Sequence, residues 1–445
     1  MSMYRVAVIE FPGTNCERET AQAVRRCGME PEIFRWNRPA RELDAFNAFI
    51  IPGGFSYEDR SRSGIIAALD TLIDSLKKQN ASGKPVLGIC NGAQILVESG
   101  IVPGLPGWQT GAALAENKQM VGDTVVGTGF YNNWVTIKHT ATPASRPNAF
   151  SCAWEKDGRM RIPAAHAEGR FVIDADILSW MEQTGVCMFR YCDGAGTVSP
   201  HFPVNPNGAV SNLAALGNLA GTALAIMPHP ERVAEGDAIF QSLKTWLQNT
   251  ASYRTESPVP PAHLEEKLTG AIHAADLKPV PRTEKVHSRE LVIGTVITDN
   301  AAVSVEQALA RAGIPVKINR AVRWIVEAPL SVAEKDFEKM VEKAMASGQL
   351  YNSNKEFPIS FDIPGDNGMA VVVQPREGED FTGLHTIRAL SSWFGISGFS
   401  RISHSIIWSI EAPEATSDEA LDLIEKALAS HIFANPYSQR IYRYV

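Results

Sequence analysis

The chain has 445 residues, 44% of them hydrophobic and 20% charged, with a formal net charge of -7. That length calls for two to four domains, and mild acidity without a dense Lys/Arg cluster gives no footing for nucleic acid. No uncharged apolar run is long enough to span a membrane, and the opening MSMYRVAVIEFPG lacks the marks of a signal peptide, so a cytoplasmic location is expected.

In chain order, YRVAVIEF reads as a buried strand, the segment 17–26 as a helix, and AFNAFIIPGG as a strand closing on two glycines. GIIAALDTLIDSLKKQN has helical periodicity, and KPVLGIC is the next strand. Strands alternating with helices of this size predict an α/β domain with a mostly parallel sheet, right-handed crossovers and flanking helices. From 117 to 174 the pattern loosens into alternating strands such as WVTIKH. TALAIMPHPE restores an apolar strand, and the helix GDAIFQSLKTWLQN closes a first domain spanning 1–249. The Pro- and charge-rich stretch 250–288, with one short helix in HLEEKLTGAIHAA, reads as a linker. The six cysteines all precede it; without a CxxC pair or a His–Cys cluster, reduced thiols and no metal are expected.

The remainder contains an internal repeat. Glu327-Ala328-Pro329 and Glu411-Ala412-Pro413 stand 84 residues apart, each followed by a helix with the related cores VEKA and IEKA. Each copy reads strand, helix, strand, helix, strand, which predicts two small α+β domains over 289–361 and 368–445. Units of about eighty residues bury little core alone, so the copies are expected to pair as an intramolecular pseudo-dimer. The charged helix EKDFEKMVEK reads as a solvated face.

The chemistry concentrates around Cys90. It ends the strand of KPVLGIC, a helix begins two residues later, and Gly88 and Gly92 flank it. That is the pattern of a nucleophile elbow; a buried thiol acting as a small hydrophobe fits the stretch equally well. His229 and Glu231 follow another strand, in MPHPER. In a parallel sheet the strand C-termini collect on one edge, so His229 could serve Cys90 as base while Glu231 fixes its tautomer. Backbone N–H groups at Gly53, Gly54 and Asn91 would supply an oxyanion site. Each signal alone has a plainer reading, since His229 lies between two prolines and IIPGG makes an ordinary tight turn. Their common place at strand ends points to a Cys-His-Glu hydrolase.

LGICNGAQIL, IIPGGFSYEDR and IMPHPER resemble the class I glutamine amidotransferase family. More narrowly, FPGTNCERE, GGFSYEDRSRSG, AHAEGRF and NPNGAVSNLAAL resemble the glutaminase subunits of phosphoribosylformylglycinamidine synthases, over about residues 4–249. The two repeats resemble, more distantly, the small accessory subunit of that complex. The resemblance implies Cys90 as nucleophile, His229 as base then acid, and Glu231 as orienting carboxylate. It implies a glutamine pocket drawing on Gly53, Gly54, Phe55, Asn91 and Gln94. Asp59 and Arg62, with His166 and Glu168, would organise a loop or face a partner. Glu58 stands where the family usually has glycine and Ser63 where it frequently has cysteine, which touches loop shape and leaves the triad intact. Cys16 reads as a packed thiol beside a helix start. The substrate implied is L-glutamine, with ammonia passed to a large synthetase that uses ATP and magnesium on formylglycinamide ribonucleotide in purine synthesis. This chain has no phosphate-cradling G-x-x-x-x-G-K-[ST] loop, so no cofactor is expected in it. The alternatives are a glutaminase serving another amination and an inactive scaffold.

Overall fold

A computed structural model describes residues 3–140, 146–154, 158–249, 253, 257–268, 272–281 and 283–445. The chain divides into two compact units, Met1–Gly270 and Ala271–Val445. Part of the segment read as a linker, between 250 and 271, lies outside the described residues.

The first unit is built on strands β1 (Arg5–Glu10), β2 (Glu30–Arg35), β3 (Ala48–Ile51), β4 (Val86–Ile89), β5 (Ala113–Ala115), β6 (Lys118–Val121), β7 (Thr124–Thr128), β8 (Tyr131–His139), β9 (Arg159–His166), β10 (Arg170–Val172), β11 (Met188–Cys192), β12 (Leu213–Gly217) and β13 (Ala223–Ile226). Among the described residues nine of them form one sheet in the order β2-β1-β3-β4-β13-β12-β11-β8-β9. The first five strands are parallel, and every pairing from β13 outwards to β9 is antiparallel. The sheet is therefore mixed rather than mostly parallel. The helical crossovers of the first half enforce parallel neighbours, whereas the tight connection from β12 to β13 permits only an antiparallel pair. β1, β3, β4 and β13 are apolar because they lie inside, with β3, β4 and β13 buried along their whole length.

Helices α1 (Glu17–Arg26), α2 (Ile65–Ala68), α3 (Thr71–Ala81), α4 (Asn91–Glu98), α5 (Ala175–Gln183) and α6 (Asp237–Gln248) flank this sheet. α1 packs on β1 and β2 and beside α6, while α4 packs on β3, β4 and β13. The apparently continuous helix from Gly64 to Asn80 is two helices. Asp70 interrupts it in an extended conformation and accepts a hydrogen bond from Leu72 N–H at 2.9 Å, capping α3. β2 carries little sequence signal, because EPEIFR contains a proline and lies at the sheet edge.

The second unit is one six-stranded antiparallel sheet among the described residues. Its strands are β14 (Val286–Thr295), β15 (Lys317–Pro329), β16 (Glu356–Pro358), β17 (Gly368–Pro375), β18 (Arg401–Glu411) and β19 (Gln439–Arg443), ordered β16-β14-β15-β18-β17-β19. The two sequence copies meet at β15 and β18. Glu327 lies opposite Arg401 and Glu411 opposite Lys317, with Val322 opposite Ile406 midway between. The 84-residue spacing converts one Glu–base pair into the other, so the repeat is a local two-fold axis through the Val322–Ile406 pair. One core joins Trp324, Val326, Phe337 and Val341 of the first copy to Leu390, Ile396, Phe399 and Ile402 of the second. The opposite sheet face carries a smaller cluster of Val292, Ala321, Val372 and Ile407.

Candidate active site

Strand order decides which residues can meet. β4 and β13 are adjacent and parallel, with Ile89 opposite Ile226, so the segments leaving their C-terminal ends emerge side by side. Cys90 follows one and His229 the other. Cys90 N–H donates to Ile226 C=O at 2.8 Å, which holds the turn against β13. Cys90 itself has φ 51° and ψ -108°. This left-handed, strained geometry reverses a strand into a helix within one residue and lifts the side chain to the sheet edge. The turn needs a glycine at 92 for space: a Cβ there would stand 1.9 Å from Ile51 O on β3.

His229 is 2% exposed and Glu231 1%. His229 Nδ1 and Glu231 Oε1 are 2.7 Å apart, and His229 N–H donates to Pro163 C=O at 2.8 Å. Nδ1–H toward the carboxylate leaves Nε2 for chemistry. Burial presses the imidazole toward neutrality, but Glu231, Cys90 and Cys16 outweigh it and hold its pKa well above the usual histidine value. Cys90 is 8% exposed, and its thiol points to Ala165 C=O at 3.6 Å.

Gly54 lines the same cavity as Cys90, and Asn91 follows Cys90 directly in the chain. Phe55 N–H donates to Gly13 C=O and Asn15 N–H to Gly53 C=O, so Gly54 lies in the non-hydrogen-bonded pair of a bridge with Thr14. Its own N–H points away from that bridge. Its φ of 155° brings the chain so close to Gly13 that a Cβ would meet Gly13 O at 2.6 Å. Asn91 opens α4, where first-turn N–H groups have no partner within the helix. The Asn91 side chain accepts from Ser56 N–H at 3.0 Å and donates to Asp59 Oδ1 at 3.1 Å and Gln94 Oε1 at 2.9 Å. It ties the 53–59 loop to the helix.

A cavity of about 270 Å³ opens beside Cys90 and His229, lined also by Phe55, Asp59, Gln94 and Glu168. Gln94 Nε2 donates to Glu168 C=O at 2.6 Å, so it shapes the wall. Asp59, His166 and Glu168 border this cavity, although their sequence context suggested loop or partner roles. Burial and the Glu168 carboxylate push Asp59 up to about 7. Burial raises Glu168 too, and Ser63 and Arg62 oppose that shift. Burial, with His229 nearby, pushes His166 down to about 3, so it stays neutral; its Nδ1 lies 3.2 Å from Asn117 Oδ1. Arg62 instead forms a two-pronged pair with Glu98, fixing the loop to α4. Glu58 adopts φ 57°, a conformation glycine accepts without strain.

Cys16 and Arg232 escaped the sequence reading as pocket residues. Cys16 is buried at the start of α1, yet it lines the cavity, and its sulfur, a His229 ring nitrogen and a Glu231 oxygen lie within 4.8 Å of one another. Arg232 Nη2 donates to Cys16 Sγ at 3.3 Å and Arg232 Nε lies 3.8 Å from Glu231 Oε1. A guanidinium against two of these three groups opposes a metal cation there. Their only sequence signal was position: a TNCERE turn after β1, and the residue after Glu231.

Residues 3–252 match the CobB/CobQ-like glutamine amidotransferase domain family. The chain belongs to that family, and its Cys-His-Glu site makes it an enzyme of the glutaminase type. Within the family it is similar to the subunit PurQ of phosphoribosylformylglycinamidine synthase. The Methanothrix thermoacetophila protein is 42% identical over 265 residues, 56% of this chain and all of that protein. The Methanopyrus kandleri protein is 39% identical over 256 residues, again 56% of this chain and all of the relative. The solved structure of PurLQS from Thermotoga maritima is 30% identical over 55% of this chain and all of the matched chain, with a TM-score of 0.43.

Proposed function

We propose that this chain is the glutaminase component of a phosphoribosylformylglycinamidine synthase, with Cys90 as nucleophile. The observation that carries the reading is the adjacency of β4 and β13, which sets Cys90 beside a His229 held by Glu231 at 2.7 Å. The Cys90 thiolate attacks the side-chain carboxamide carbon of L-glutamine, and the N–H groups of Gly54 and Asn91 receive the developing oxyanion. The His229 imidazolium gives its proton to the departing nitrogen, releasing ammonia and leaving a γ-glutamyl thioester on Cys90. Neutral His229 then takes a proton from water, which attacks the thioester and frees glutamate. Asp59 and Glu168 supply the negative wall that an α-ammonium group requires.

The ammonia goes to a large ATP- and magnesium-dependent synthetase acting on formylglycinamide ribonucleotide, in the cytoplasm. Similarity to PurQ subunits over the whole length of those relatives supports this assignment. The second unit lies beyond the family match, and we assign it to holding that partner. The test is to assay glutamate formed from glutamine, alone and with the synthetase recovered from lysate. Cys90→Ala is expected to lower turnover by about 10³-fold or more while the circular dichroism spectrum is unchanged. Retained turnover in that variant rejects Cys90 as nucleophile. A stable partner from a different amination pathway rejects the synthetase.

A further inference from the structure

Two thiols border His229, and the reaction above uses one of them. A Cβ placed on Gly53 would stand 2.9 Å from His229 Cε1, 3.2 Å from Cys16 Sγ and 3.4 Å from Cys90 Cβ. Both cysteine side chains therefore border a single space, which glycine at 53 leaves open. Cys16 lies on the turn after β1, its N–H bonded to Gly53 C=O at 3.1 Å, so the Gly53 backbone holds it at the Cys90 elbow. Its sulfur receives Arg232 Nη2 at 3.3 Å and reaches Asn15 Oδ1 at 3.2 Å. It borders the same cavity as Cys90, wide enough for a molecule the size of hydrogen peroxide.

We propose that Cys16 is a resolving cysteine for Cys90, capturing the oxidised nucleophile as a Cys16–Cys90 disulfide that shuts the glutaminase reversibly. The inference rests on the reading of Cys90 as the reactive thiol. Hydrogen peroxide transfers one oxygen to the Cys90 sulfur, giving a sulfenic acid and one water. Cys16 then passes its proton to neutral His229 and its sulfur attacks that of Cys90. The S–O bond breaks, and hydroxide leaves as a second water, taking that same proton from His229. Overall, two thiols and one peroxide yield one disulfide and two waters. The disulfide requires the two sulfurs to close to about 2.05 Å across the space beside Gly53. A sulfenic acid without a resolving thiol is oxidised further to sulfinic acid, which dithiols do not reduce.

The remaining cysteines serve as internal controls. Burial pushes Cys27 and Cys152 up to about 11 and Cys187 up to about 12, and it raises Cys192 as well. Thiols so disposed are poor nucleophiles at neutral pH.

The full chain is exposed to graded hydrogen peroxide, alkylated with N-ethylmaleimide and mapped by peptide mass. Cys16 and Cys90 peptides are expected linked, at doses that leave the other four cysteines alkylated. Glutaminase activity falls in parallel and returns with dithiothreitol. In Cys16→Ser, the same doses convert Cys90 to sulfinic acid, and dithiothreitol restores about fivefold less of that variant's own starting activity than in wild type. Sulfinic acid on wild-type Cys90 without a Cys16 link overturns the proposal, as does full recovery of Cys16→Ser. The mapping reads mass, so absence of glutaminase activity before oxidation counts against the functional reading and leaves the disulfide result standing.

Discussion

Burial and a second carboxylate, Glu168, push Asp59 up to about 7 because both disfavour its charge. An α-ammonium group is attracted to the ionised form, so glutamine binding should weaken as pH falls through 7. The expected change in KM is about tenfold or more, the scale of one charge-assisted hydrogen bond. Asp59→Asn should hold KM near its acid-side value at every pH; an unchanged pH profile in that variant removes Asp59 from substrate binding. In the proposed mechanism Glu231 acts through His229, which its carboxylate keeps well above the usual histidine pKa. Glu231→Gln should therefore cut turnover less than Cys90→Ala does, and shift the pH–rate profile because the imidazolium loses its counter-charge. A fall in turnover with no shift in the profile would assign Glu231 a packing role.

Among the elements, α4 depends on how closely it approaches the sheet. Gly92 lies where a Cβ would stand 1.9 Å from Ile51 O, a backbone atom that cannot rotate aside. Gly92→Ala should destabilise at or beyond the upper end of the ~1–3 kcal/mol typical of overpacking, because α4 must move off β3. Urea unfolding of the full chain measures this, and a midpoint equal to wild type contradicts the close approach. Activity should fall further than stability, since displacing α4 also displaces Asn91 and the Cys90 turn. Asp70→Ala offers a contrast: it removes the cap of α3 and the 3.4 Å contact from Tyr57 OH, and should cost about 1 kcal/mol with a smaller loss of turnover than Gly92→Ala.

At the scale of the molecule, the second unit should unfold as one cooperative body, because the two copies share a core. Trp324 and Phe337 of the first copy pack in one cluster with Leu390 and Phe399 of the second. Trp324→Ala should cost about 3–5 kcal/mol. Hydrogen exchange in the full chain should quicken in β17 of the second copy as much as in β14 of the first. Protection lost only in the first copy would mean that each folds independently.

The residues of the proposed site are largely legible in the amino-acid sequence. A cysteine between two glycines at a strand-to-helix turn, and a histidine and glutamate after a later strand, follow from local pattern, because an elbow imposes its own residue types. The repeat is equally plain, since both copies preserve the same landmarks. Other features depend on which strands become neighbours. Local pattern records that a segment is a strand and is silent about its partner, so the antiparallel half of the first sheet emerges only from the pairing of β13, β12, β11, β8 and β9. The break at Asp70 hides within an unbroken apolar periodicity, because capping is decided by one dihedral. Asp59 and Glu168 are distant in sequence, and only the loop–strand contact sets their charges in one cavity. Cys16 reads as a packed thiol from its neighbours in sequence because burial and reactivity are separate properties: folding β1 against β3 carries its turn to Gly53, and the absence of a side chain there opens the space it shares with Cys90.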